Sequence, residues 1–233
     1  MMQNMDIVEL CREAEALCRH VAPLDLPANV PLYVVPGSSL PASLGRVGCS
    51  AGFTAENLDL YVRDCLGDAW RGRGPAMIIN DCLLDMADEG YRTEFLCITL
   101  HEISHVLERD SLFDACCVDY RPFDELVDRW TSPAGEVMLG DEHQAQYHSQ
   151  RFIRTILHVH RRAFNAGLKV GPSLLCNQKR YGLSDIGMYR YALGDEPVRR
   201  AGESIRQILA AEPPRAFSQL AAIDLAWRQF SDN

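Results

Sequence analysis

The residues best suited to chemistry lie in "ITLHEISHVLER", positions 98–109, where His101 and His105 stand four apart and Glu102 directly follows the first. On a helix that spacing is one turn plus about 40°, with a rise of about 6 Å, so both imidazoles leave the same side. Two ring nitrogens placed in this way can reach one zinc ion at about 2.0–2.1 Å. Glu102 lies about 100° further round than His101, which makes it a poor ligand but sets it beside a water held on the metal. Two ligands, an adjacent carboxylate and an open coordination position make up H-E-x-x-H chemistry. Zinc lowers the pKa of its water toward 7 and the glutamate accepts the proton as a carbonyl is attacked. The competing reading is an ordinary buried helix whose histidines are satisfied by core partners.

The flanking Phe95, Leu96, Ile98, Thr99, Ile103, Val106 and Leu107 give this helix broad apolar coverage, so most of its circumference is expected to be buried. Around "HEISH" the sequence resembles the zincin metallopeptidases, with Ser104 where many of them have Gly. The resemblance implies a small twisted sheet with the active-site helix packed beneath it and one zinc ion per chain. It also implies a cleft whose edge strand binds an extended polypeptide substrate. The candidate for that strand is "PAMIIN", pairing by β-augmentation.

A catalytic zinc takes three protein ligands, and the candidates for the third cluster in "GDEHQAQYHSQRFIRTILHVH". The stretch "HSQRFIR" is similar to the H-G-x-x-F/W element of SprT-like peptidases, which makes His148 the ligand and Phe152 the aromatic packed behind it. Ser149 replaces the glycine, and the stretch separating His148 from His105 is longer than in that family. "EHQA" resembles the E-x-x-A element of gluzincins and of ImmA/IrrE-type peptidases, which points to Glu142 instead. His143, supported by Glu142, is the third possibility. If residues 141–166 are one helix, Glu142 and His148 lie about 120° apart and cannot easily share a metal, so a choice is forced. The set taken forward is His101, His105 and His148, with Glu142 and His143 as alternatives. His158, about 15 Å along the same helix from His148, and His160 are read as packing residues or as hydrogen-bond partners.

The elements that must position these groups follow from periodicity. Ile7, Leu10, Cys11, Ala14, Leu17 and Cys18 recur at three and four, so residues 6–20 form an amphipathic helix ended by Pro23, Pro27 and Pro31. "PLYVVPG" and "NLDLYVRD" have strand character, Ala76 to Ile79 supply a third strand, and the Gly/Ser-rich residues 43–57 are a hairpin region or a loop. Helices are expected over 92–109, 123–130, 141–166, 183–194, 197–211 and 214–230. The fold class is α+β: a small twisted N-terminal sheet packed on the active-site helix, then a mostly helical part. Residues 1–167 are read as a zincin-like domain with its N-terminal helix and sheet, and 168–233 as a helical extension packed on it.

Other residues carry weaker signals. Cys97, one turn before His101, is read as a small buried residue, and Cys116 and Cys117 as core or loop thiols. Tyr120, Tyr147 and Tyr191 are candidates for a phenol that stabilises an oxyanion, with nothing to select among them.

A net charge of −9 opposes binding to nucleic acid or to an anionic membrane, and the pairs Arg161–Arg162 and Arg199–Arg200 read as solvated faces. Nine cysteines without a C-x-x-C pair, an acidic N-terminal segment and no long apolar run fit a reduced cytoplasmic protein. The expected function is zinc-dependent hydrolysis of peptide bonds with Glu102 as general base. The alternative is a zincin-like binding or regulatory module that cleaves nothing.

Overall fold

The structure is a computed structural model and describes residues 6–39, 50–53, 63, 66–81, 84, 90–110, 112, 149–176 and 184–231, with the backbone alone described at 50–53 and 227–231. The described chain is mixed α/β and mostly helical, with one small sheet.

Helix α1 (Ile7–Val21) starts at Asp6, whose Oδ1 accepts from the Val8 N–H at 3.0 Å. It buries Leu10, Ala14, Cys18 and Val21, the stripe its periodicity predicts. From its last turn, Arg19 donates to the carbonyls of Leu26, Pro27 and Val30, fixing the proline-rich return toward the sheet.

Strands β1 (Tyr33–Pro36), β2 (Ser50–Phe53) and β3 (Pro75–Ile79) form a sheet in the order β1-β3-β2. β1 runs parallel to β3, with Val34 opposite Met77, and β2 runs antiparallel to it, with Ala51 opposite Met77. All five residues of β3 are buried, as a strand covered on both faces requires. Gly74 lets the chain enter β3 closely, because a Cβ there would lie 2.0 Å from the Pro31 carbonyl oxygen. The approach is pinned by Tyr33, whose hydroxyl donates to Gly72 O at 2.7 Å and accepts from the Arg71 N–H at 2.8 Å. Where β1 and β3 end, Asp81 accepts from the N–H and the hydroxyl of Ser38 at 2.8 and 2.6 Å.

Helix α2 (Tyr91–Leu107) is buried on nearly all sides, packing against α1, β2, β3 and the later helices. Its buried hydroxyls bond within the helix: Thr99 Oγ1 donates to Phe95 O and Ser104 Oγ to Leu100 O. Helix α3 (Gln150–Asn165) lies against α2 and ends at Gly167, whose φ of 114° allows the chain to turn away. Among the described residues five further helices follow: α4 (Pro172–Cys176), α5 (Ile186–Leu193), α6 (Glu196–Arg199), α7 (Ile205–Ala210) and α8 (Arg215–Ser231). One apolar cluster runs from Leu10 and Met77 through Leu100 and Phe152 to Ile205 and Phe217, so residues on both sides of position 167 share a core. Near α7, Asp25 accepts from the N–H groups of Ile205 and Arg206 at 2.7 and 3.3 Å, capping that helix from the other end of the sequence.

Several expectations change. The helix expected over 141–166 is not continuous. Ser149 has extended backbone (φ −64°, ψ 166°), and its hydroxyl accepts from the Phe152 N–H at 3.0 Å, so α3 begins at Gln150. The angular argument separating His148 from His158 therefore loses its single helical axis, while Glu142 and His148 both lie outside the described residues. The helix expected over 197–211 is two, because Ser204 and Gln207 form a capping box that restarts it. The stretch read as a hairpin region or loop contributes β2, and β3, expected at an edge, is the central strand. Its backbone already pairs on both sides, which removes "PAMIIN" as the strand for an added peptide. The strand expected over 57–64 and the helix over 123–130 fall outside the described residues, apart from Arg63.

Candidate metal centre

The buried course of α2 brings His101 and His105 to one side of the helix, half-buried, with ring centroids 5.1 Å apart and planes at 74°. His101 Nδ1 lies 2.9 Å from the carbonyl oxygen of Leu175, at the end of α4. A carbonyl only accepts, so Nδ1 carries the proton and the lone pair of the neutral ring is at Nε2. His105 Nδ1 lies 3.4 Å from Glu108 Oε1, and a carboxylate partner sets the same tautomer. Phe152, from the first turn of α3, packs on both rings, at 5.0 Å from His101 and in a stack at 4.1 Å from His105. Glu102 is buried, with 7% of its surface exposed.

This pair fits zinc. Two imidazoles bound through Nε2 to one tetrahedral ion at about 2.0–2.1 Å have ring centres about 5 Å apart. Metal-binding histidines also donate the other ring N–H to a carboxylate, carbonyl or water, as the bonds to Leu175 and Glu108 do here. Among the described residues no group of three His, Cys, Asp or Glu is placed to hold a metal ion. His148, Glu142 and His143 lie outside the described residues. Ser149, which follows His148 in the sequence, donates its hydroxyl to Glu108 Oε2 at 2.7 Å. Arg151 grips the Glu108 carbonyl with Nε and Nη2 at 3.1 and 3.0 Å, and its guanidinium also meets Asp110 at 2.8 Å.

Known protein families, curated proteins and solved structures give no match.

The remaining sequence candidates separate clearly. Cys97 is buried, and burial, with Glu94 adding to it, pushes its thiol up to about 12, so it belongs to the core. Tyr191 is 89% exposed and borders a shallow groove of about 530 Å³ with Met188, Leu220 and Ile223, a surface to which no residue of α2 contributes. Tyr120, Tyr147, Cys116 and Cys117 fall outside the described residues. Arg199 is exposed, as a solvated face implies, whereas Arg162 is buried and donates to Val21 O and Glu203 O at 2.9 and 2.6 Å.

His158 and His160 are core residues. His158 is fully buried and faces Glu196 Oε1 at 3.8 Å, while His160 Nε2 lies 2.8 Å from Val170 O. Burial lowers the pKa of both rings, against the opposing pull of Glu196 on the first and of the Val170 carbonyl on the second. Arg154, one turn before His158, pairs with Glu196 through Nε at 3.2 Å and through Nη2, and donates from Nη1 to Ala211 O at 2.7 Å. Burial alone would raise the Glu196 carboxyl; the His158 ring and the Arg154 guanidinium together hold it below the usual range.

Sequence reasoning missed Glu108, Ser149 and the Leu175 carbonyl. The first two carried a signal: Glu108 is three residues after His105, on the same helix face, and Ser149 precedes an apolar periodic run as helix caps do. A backbone carbonyl contributed from 74 residues away has no signature in the sequence.

Proposed function

We propose that this chain is a zinc-dependent metallohydrolase, a peptidase of the zincin type, working in the cytoplasm on polypeptide substrates. The observation that carries the reading is the His101–His105 pair. Both rings sit on one side of a buried helix with Nδ1 bonded to an acceptor, which directs the Nε2 lone pairs to the site, and Glu102 is the adjacent residue. His101 and His105 hold the metal from α2. His148 is the third ligand in this reading, supported by the bond that ties Ser149, its neighbour in sequence, to Glu108 beside His105.

Bound zinc supplies a lowered pKa for water and polarisation of the scissile carbonyl. Glu102 accepts the proton from the attacking water as the C–O bond forms, and returns it to the amine nitrogen as the C–N bond breaks. Its burial keeps the carboxylate in a place of low dielectric, where a positioned charge acts more strongly than in water. Phe152 walls the two imidazoles and limits their rotation.

Metal analysis of the purified protein, combined with hydrolysis of an unfolded polypeptide, tests this. One zinc per chain is expected in the wild type and in Glu102→Gln, and the variant is expected to lose about 10²- to 10⁴-fold in turnover. His148→Ala should lose the metal and Glu142→Ala should keep it; the reverse would move the third ligand to Glu142. A wild type that takes up no zinc after supplementation overturns the reading.

A further inference from the structure

We infer that Glu108 is a positioning residue for the metal site, holding the His105 imidazole with one carboxylate oxygen and the first turn of α3 with the other. The inference rests on the zinc reading of His101 and His105.

Glu108 follows the last residue of α2 and is buried, with 7% of its surface exposed. A carboxylate in such a place is retained only where its oxygens have partners, and each oxygen has one. Oε1 faces His105 Nδ1 at 3.4 Å, and Oε2 accepts from the Ser149 hydroxyl at 2.7 Å. The same hydroxyl accepts from the Phe152 N–H at 3.0 Å, matching the single donor and the acceptor capacity of a serine. Phe152 then stacks back on the His105 ring at 4.1 Å with planes 24° apart. The contacts form a closed circuit: His105 to Glu108, Glu108 to Ser149, Ser149 to Phe152, and Phe152 to His105. Arg151 closes it from outside by holding the Glu108 carbonyl, so the carboxylate is fixed at both its backbone and its side chain.

The chemistry of this circuit concerns ligand strength. A cation at Nε2 draws density from the imidazole and makes Nδ1–H a stronger donor, which tightens the bond to Glu108. In return the carboxylate makes Nε2 a better ligand. The 3.4 Å separation is long for a hydrogen bond, and contraction on metal binding is the expected response. Because Glu108 also grips Ser149, the same contraction is transmitted to the start of α3. The two rings have different partners at Nδ1: His105 faces an anion linked to a second helix, and His101 faces the Leu175 carbonyl.

The test is zinc affinity of the full chain, measured by competition with a chromogenic chelator, with the absorption spectrum of the cobalt(II)-loaded protein alongside. Circular dichroism of the metal-free variants checks that each is folded. Glu108→Ala should weaken zinc binding about 10- to 100-fold and shift the cobalt spectrum. Glu108→Gln, whose amide oxygen still accepts from Nδ1–H, should recover part of the affinity. Ser149→Ala tests the second arm if Glu108→Ala does not fold, and should weaken binding by a smaller factor. Wild-type affinity and an unshifted cobalt spectrum in both Glu108 variants, with binding lost in His105→Ala, would overturn the role of Glu108 and leave the zinc site standing. Absence of zinc binding by the wild type would overturn both.

Discussion

Two pairs of histidines sit on adjacent helices, one half-buried and one buried, and they are wired differently. On α2, His101 and His105 are four residues apart, share a side of the helix, and each places Nδ1 against an acceptor. On α3, His158 and His160 are two apart, about 200° round the axis, and so look in opposite directions. His158 meets Glu196, and His160 uses Nε2, not Nδ1, on the Val170 carbonyl. Burial drives both α3 rings toward the neutral form, and each fills a place in the core. Spacing decides whether two imidazoles address one point, and the nitrogen used in the supporting bond decides which lone pair they present.

The sharpest way to break this contrast is to remove one histidine from each pair. His105→Ala should abolish zinc binding, whereas His158→Gln should retain one zinc per chain while losing stability; metal analysis of both decides. Loss of zinc from a folded His158→Gln would show that the α3 histidine belongs to the metal site.

The next effect is on the polar core around His158. Arg154→Ala leaves Glu196 buried without its main cation and should cost about 3–5 kcal/mol, read as a lower midpoint of urea unfolding. Adding Glu196→Gln should recover part of that loss. An unchanged midpoint in Arg154→Ala would mean that the pair contributes little to the fold.

The pH dependence of stability separates the two pairs further. His158 and His160 have lowered pKa values when folded, so below about pH 6.5 the unfolded chain takes up protons that the folded one does not. Stability is therefore full above the unfolded value and falls as pH drops below it toward the folded values. The slope is up to about 1.4 kcal/mol per pH unit for each ring. Unfolding of the metal-free protein between about pH 7.5 and about pH 5.5 should show this decline. His160→Gln, which retains an N–H donor for Val170, should flatten it, and an unaltered slope would remove His160 from the account.

The smallest expected effect is at Ser149. Replacing it with Ala removes the α3 cap and the hydroxyl on Glu108 and should cost about 0.5–2 kcal/mol in urea unfolding of the metal-free protein.

The parts of the fold that the sequence revealed are those governed by local rules. α1 followed from its spacing, β1 and β3 from β-branched runs, and α2 from its broad apolar coverage, with bounds close to those expected. The pairing order of strands depends on residues far apart in sequence, and β3 therefore turned out to be central although its own residues suit an edge equally well. The break at Ser149 was hidden because neither proline nor glycine marks it; only the capping chemistry of serine does, and helix-favouring residues on both sides obscure it. At the candidate site, the grouping of His101, Glu102 and His105 was legible because one helix carries them. The Leu175 carbonyl was not, since only the packing of α4 against α2 brings it there.

Asp25 links residues 180 positions apart when it caps α7. During synthesis the N-terminal helix leaves the ribosome long before Ile205, and loop closure over so many residues is entropically slow. Until that closure, the Asp25 carboxylate lacks the partners that offset the cost of its burial. The segment after α1 thus reaches its final hydrogen bonding only when residues 205 and 206 are in place, so the stability of the N-terminal region is tied to that of the later helices.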